Sequence, residues 1–186
     1  MRVLGIDPGS ETTGWGVVEG DARRYGLVNY GVVRAPARER FAARLLKISD
    51  GIEAVLRKYA PDVCAIEEAF YAVNVKTALK LGQVRGVALL AAERAGLEIY
   101  EYSPRLIKQT VVGYGAAEKH QVQEMVRVLL ALKRVPEPHD AADALAIAIC
   151  HLHHAKFAQL TKETPPARAK LESLLAENPR RRAPRS

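Results

Sequence analysis

The period of the apolar residues changes once along this chain, and that change limits the folds open to it. Up to Arg34 the pattern is that of strands. RVLGID (2–7), TTGWGVVE (12–19) and YGLVNYGVVR (25–34) are rich in Val, Tyr, Trp and Thr, and the last two are separated by the turn-like GDARR. Three strands joined by short turns predict an antiparallel meander. From Phe41 the spacing becomes three and four, through Leu45, Ile48, Ile52, Val55 and Tyr59, marking one long amphipathic helix that stops before Pro61. DVCAIEE (62–68) reads as a short strand apolar on both faces, as a buried parallel strand should be. A helix over 75–96 closing on Gly96, a strand LEIYEY (97–102) and helices over 104–112, 116–132 and 140–158 complete the pattern. The expectation is an α/β fold: a mixed five-stranded sheet, meander plus parallel strands, with helices on both faces.

At 186 residues the chain is long enough for one substantial domain and short for two. We place that domain at 1–158. The segment 159–186 is rich in Pro, Arg and Glu with only a fragmentary apolar pattern, and reads as a mobile basic tail. No apolar run approaches the ~20 residues needed to span a bilayer. The start MRVLGID is unlike a signal peptide, because Asp7 and Gly9 interrupt the apolar stretch. A cytoplasmic protein that does not engage the membrane is expected. Cys64 and Cys150 both lie in apolar segments and read as buried free thiols. The net charge of +7 divides into +4 for the tail and +3 for the rest. A basic chain points to an acidic partner, of which nucleic acid is the commonest.

Three acidic positions break the apolar pattern. GIDPGS ends a core strand on Asp7, and AIEE ends another on Glu67. Asp is a good turn former beside Pro8 and Gly9, which is the plainer reading of the first. If the two strands are parallel, though, both carboxylates emerge at one sheet edge, where ligand sites of open α/β sheets form. In HDAADALAIAI, Asp140 and Asp143 project from one face of a helix start, a pattern that capping alone can explain. Taken together, four carboxylates at one edge would repel one another unless a divalent cation held them. Oxygen ligands without Cys or paired His favour Mg²⁺ or Mn²⁺ over Zn²⁺. Two such ions, ~3.5–4 Å apart in known sites, can activate water and stabilise a leaving oxygen of a phosphodiester.

Asp7 in GIDPGSETTGWGVV, Glu67 in AIEEAF, and Asp140 and Asp143 in DAADALAIAI, with ALKLGQVRG and IKQTVVGYGAAEKHQVQ between them, strongly resemble the RuvC-type Holliday junction resolvases over about residues 1–155. The element order is also that of the ribonuclease H-like fold. The resemblance implies a homodimeric, metal-dependent endodeoxyribonuclease that resolves four-way DNA junctions by paired symmetric nicks in recombination and repair. It would use two Mg²⁺ or Mn²⁺ ions and leave 5′-phosphates. It makes Asp7, Glu67, Asp140 and Asp143 the catalytic, metal-binding acids; adjacent Glu68 would point to the opposite face. Phe70 matches an aromatic that stacks at the junction centre, with Tyr71 beside it. Lys108 and Lys119 match lysines facing the DNA near the acids, and Arg105 and Lys76 are further backbone contacts. Partnership with the RuvA and RuvB branch-migration proteins also follows from the resemblance alone.

Gly82 and Gly86 lie four apart on one helix face, flanked by Leu79, Val84 and Leu90, and fit either a dimer contact or close packing on the chain's own sheet. His139 is read as ending a loop rather than touching a metal-bound water. His151, His153 and His154 have a spacing that could bind zinc but lack a supporting Cys or carboxylate, so they read as a solvated helix end. Three rival readings fit parts of the sequence. GIDPGS…GWG also looks like a phosphate loop of actin-like ATPases, but this chain is too short for their two domains and lacks their second loop. YqgF-like ribonuclease H-fold nucleases acting on RNA are typically shorter, and LGQVRG and DAADALAIAI point away from them. A non-cleaving junction-binding protein would have no need of the four acids.

Overall fold

In the first strand, β1 (Arg2–Asp7), Leu4 and Ile6 face one side and Val3 the other, because successive strand side chains alternate. Each side needs its own apolar cover. In the computed structural model, which describes residues 1–21, 23–68 and 74–163 with side chains to 155, helices supply it on both faces of a five-stranded sheet. β2 (Thr12–Gly20) and β3 (Tyr25–Arg34) form the expected antiparallel meander with β1. β4 (Val63–Glu67) and β5 (Glu98–Tyr102) extend the sheet in parallel, giving the order β3-β2-β1-β4-β5. On one face α1 (Phe41–Tyr59) and α2 (Val75–Arg94) bring Ile48, Ile52, Val84 and Ala88 against Leu4, Ile6, Cys64 and Ile66. On the other, α3 (Pro104–Val112), α4 (Lys119–Leu129) and α5 (His139–Glu163) pack Ile107, Val126, Leu145 and Ile149 against Val3 and Ala65. Both cysteines are free and buried, as expected. No helix among the described residues is long and apolar enough to cross a membrane.

The position of α5 is set by its small residues and by glycines opposite them. A Cβ on Gly5 would stand 2.0 Å from the Ala144 carbonyl oxygen, and one on Gly14 1.9 Å from that of Asp140. Only glycine lets a helix backbone lie this close on a strand. β1 and β2 therefore hold the first turns of α5 directly.

Two elements differ from expectation. α4 starts three residues late, at Lys119, because the Glu118 and Gln121 side chains form a capping box there. It ends at Leu129, short of 132, because Ala131 takes a left-handed conformation with φ 51°. α5 continues to Glu163, five residues beyond the expected end, so the histidines do not form a solvated terminus. His151 is 2% exposed, with Nδ1 2.8 Å from the Tyr102 hydroxyl and its ring 4.4 Å from that of Tyr100. Burial holds its imidazole down to about 4. His154 Nε2 lies 2.9 Å from the Thr110 hydroxyl, joining α5 to α3. In α2 the fold decides between the two readings of its glycines. Val84 is buried in the core, whereas Cβ atoms added to Gly82 and Gly86 would meet nothing within 4 Å. These glycines are not packed on their own sheet. They share an open helix face with Val75, Leu79 and Leu90, which are 73%, 65% and 51% exposed.

Candidate active site

Strand alternation settles where the two strand-end acids point. Asp7 has the parity of Val3 in β1, and Glu67 that of Val63 and Ala65 in β4, so both face the α5 layer. The parallel pairing Ile6↔Ile66 sets them side by side. Asp7 also lies opposite Gly14, the residue on which the Asp140 carbonyl rests. The register of the sheet and the close seat of α5 thus bring the four predicted acids to one edge of the sheet.

Asp7 and Glu67 feel the charges of their neighbours. The Asp7 carboxyl is pushed up to about 7, first by burial and then by the negative charges of Asp143, Glu67 and Asp140, with Lys119 opposing. Glu67 is raised too, by burial and then by Asp143, while Lys108 and Lys119 pull it down. Lys119 Nζ lies 2.6 Å from Asp143 Oδ2. Burial disfavours that ammonium, but the Asp143 hydrogen bond and the charges of Asp143, Asp7 and Asp140 outweigh it and raise its pKa. Beside the acids runs a cleft of about 430 Å³ between α3, α4 and α5, with Glu67, Asp143, Lys108 and Lys119 on its walls and Ile107 and Ile147 in its floor. Carboxylates in such mutual repulsion, with only oxygen donors, are chemically suited to a hard divalent cation. Among the described residues no three of these side chains yet close on one point at metal-ligand distance. A larger cavity of about 580 Å³, with Glu53, Arg57 and Arg94 on its walls, lies at the far end of α1 and α2 and has no such group of acids.

The remaining predicted positions divide. Lys108 and Lys119 join the acids. Arg105 and Lys76 are exposed at the starts of α3 and α2, and neither borders the cleft. His139 is the exposed first residue of α5. Phe70 and Tyr71 lie outside the described residues. Four contributors had gone unnoticed. Gly5 and Gly14 seat α5, and their signal was available as glycine inside strand patterns. Arg85 Nε donates to the Glu67 carbonyl oxygen at 3.3 Å while its guanidinium pairs with Glu101. Arg44 is 4% exposed and donates to the Ser10 carbonyl oxygen, fixing the turn that follows Asp7.

Acids at two adjacent strand ends and one helix start, on a mixed sheet of this order, define a ribonuclease H-like protein. The family model described as "Crossover junction endodeoxyribonuclease RuvC" matches residues 3–151. The chain belongs to that family. A relative of that name from Chloroflexus aggregans is 54% identical over 159 residues, covering 86% of this chain and 97% of its own. Another, from Koribacter versatilis, is 56% identical over 154 residues, covering 82% and 93%. The fold matches the solved structure titled "T. thermophilus RuvC in complex with Holliday junction substrate" with a TM-score of 0.81 and 38% identity, over 85% of this chain and 96% of that one.

Proposed function

We propose that this chain is a metal-dependent endodeoxyribonuclease that resolves four-way DNA junctions by paired symmetric nicks, leaving 5′-phosphates. The observation that carries this reading is the set of four acids gathered at one sheet edge, with Asp7 raised to about 7 by burial and by its neighbours' charges. The named relatives and the junction-bound structure support the substrate. Asp7, Glu67, Asp140 and Asp143 would hold Mg²⁺ or Mn²⁺, two ions at full occupancy. Such ions supply an activated water and neutralise charge on the scissile phosphate. The residues do the rest. β1, β4 and α5 hold the carboxylates on rigid elements. Lys108 and Lys119 draw the phosphate into the cleft and offset the charge that grows on it. Phe70 and Tyr71 stack on bases opened at the crossover, and Arg105 and Lys76 hold the backbone.

The open face of α2 around Gly82 and Gly86 supports a two-fold dimer, which suits a substrate with two equivalent strands to cut. RuvA and RuvB as partners, the cytoplasm as location, and a domain of 1–158 with a DNA-attracting basic tail belong to the same reading. The test compares a synthetic junction with a linear duplex, using wild type and Asp7→Asn in Mg²⁺, Mn²⁺ or EDTA. Symmetric metal-dependent nicks in the junction alone, lost in the variant while binding persists, are expected. Binding without nicks under every metal would leave a junction-recognition module, and no preference for the junction would point to an RNA substrate.

A further inference from the structure

We infer that the segment from Arg34 to Lys47 presents a second phosphate-contact surface, fitted to the backbone of a duplex DNA arm. It shares a sheet edge with the acids but lies toward the opposite helix layer. The inference rests on the junction-nuclease reading and extends it to residues outside the cleft. Residues 34–47 carry five Lys/Arg and one acid, a balance of +4 that exceeds the +3 of the whole stretch 1–158. The rest of that stretch is therefore slightly acidic, so the attraction for an anionic partner is concentrated here.

Position follows from the sheet. β1 and β3 both run antiparallel to β2, so Arg34 ends its strand at the same edge as Asp7. The pairings Thr12↔Arg34 and Asp7↔Gly14 place them there. The segment is also fastened to the turn after Asp7. Ala35 N donates to the Glu11 carbonyl oxygen at 2.8 Å, and buried Arg44 donates to that of Ser10. Three of its five cations are available. The one acid, Glu39, is held by Lys47 at 2.5 Å, while exposed Arg34, Arg38 and Arg40 form no ion pair among the described residues. Elsewhere Arg2, Arg57, Arg85 and Arg127 each hold a carboxylate. Neither α1 nor α2 has an acid in its first turn, so no carboxylate there offsets the positive helix ends, although Asn74 caps that of α2. Lys80 of α2 reaches over the Phe41 ring at 5.8 Å, which brings the two helix starts together. The one aromatic of the segment, Phe41, is half-buried beneath Arg44 and Lys80. A surface of guanidinium groups without an open ring suits phosphates rather than bases, and phosphate contacts fix register and orientation.

The test uses full-length protein and measures binding to a four-way junction and a linear duplex in EDTA over a KCl series. Arg34, Arg38 and Arg40 are changed together to Ala. A control removes Arg57, Lys58 and Arg94, three exposed cations at the other end of the molecule. Each lost phosphate contact flattens the log–log salt slope by about 0.9, so the first variant should lose about 2.7 and the control much less. A triple Lys variant should keep the slope. A well-folded Ala variant with an unchanged slope overturns the inference. So does equal flattening by the control, which would mean net charge alone. If wild type in added Mg²⁺ or Mn²⁺ fails to nick the junction, the parent reading falls, and the slope on linear duplex still decides the surface.

Discussion

Asp7 carries a folding penalty whenever its site lacks a cation, and the sign of that penalty can be worked out. Its carboxyl titrates near 7 in the folded chain against 3.8 when unfolded, so the folded state keeps a proton that the unfolded state releases. Stability from this group is therefore full below about pH 4 and is lost as pH rises toward 7. The shift corresponds to on the order of 2–4 kcal/mol. In EDTA at pH 8, Asp7→Asn should melt above wild type, with the gap closing near pH 4. Added Mg²⁺ should raise wild type more than the variant, and junction cleavage should be absent in the variant throughout. Thermal melts at both pH values decide it: a variant that melts below wild type at pH 8 contradicts the account. Asp7 was legible because a charge at the end of an apolar strand needs an explanation. Arg44 was not, since a helical arginine reads as a surface charge unless its burial beside Ser10 is known.

At the scale of elements, the seat of α5 on β1 and β2 decides whether the acids meet. Gly14→Ala would push a methyl carbon to 1.9 Å from the Asp140 carbonyl, so the helix start must shift. Overpacking of this kind costs about 1–3 kcal/mol. The variant should lower the melting temperature and cut cleavage by about 100-fold, since small displacements of catalytic groups cost that much. Unchanged cleavage would mean that the helix start is not constrained as described. The period of the apolar residues revealed all five strands and, apart from the ends of α4 and α5, the five helices described, because burial on a face imposes a period. It could not reveal how closely α5 lies on the sheet, because a strand glycine announces a close approach without naming the partner. It also misplaced His151, since an imidazole buried against Tyr100 and Tyr102 has no local signature. For α2, the spacing of Gly82 and Gly86 was visible, but only the fold decided that they face outward. Leu79→Glu places a charge on that open face while leaving the core untouched. Sedimentation should then give a monomer, and its melting temperature should no longer depend on protein concentration. Paired nicking should be replaced by slow single nicks. A variant that remains dimeric would rule out this face.

Across the whole molecule, charge and selectivity are divided between different parts of the chain. The residues from 164 onward contribute six Lys/Arg and two acids, more than half of the net +7, yet none of the predicted site residues. Charge of this kind attracts DNA irrespective of its shape, because phosphates are common to duplex and junction alike. Junction selectivity requires instead the fixed geometry of the acids, the cleft and, in a dimer, two such sites held at one spacing. Removing 164–186, which leaves α5 intact to Glu163, should therefore weaken binding to junction and linear duplex by the same factor and flatten both salt slopes equally. The ratio of the two affinities, and the nicking rate of bound junction, should not move. Titrations of both substrates over a KCl series measure all of this. If deletion lowered the ratio instead, the tail would belong to junction recognition itself, and the division of labour described here would be wrong.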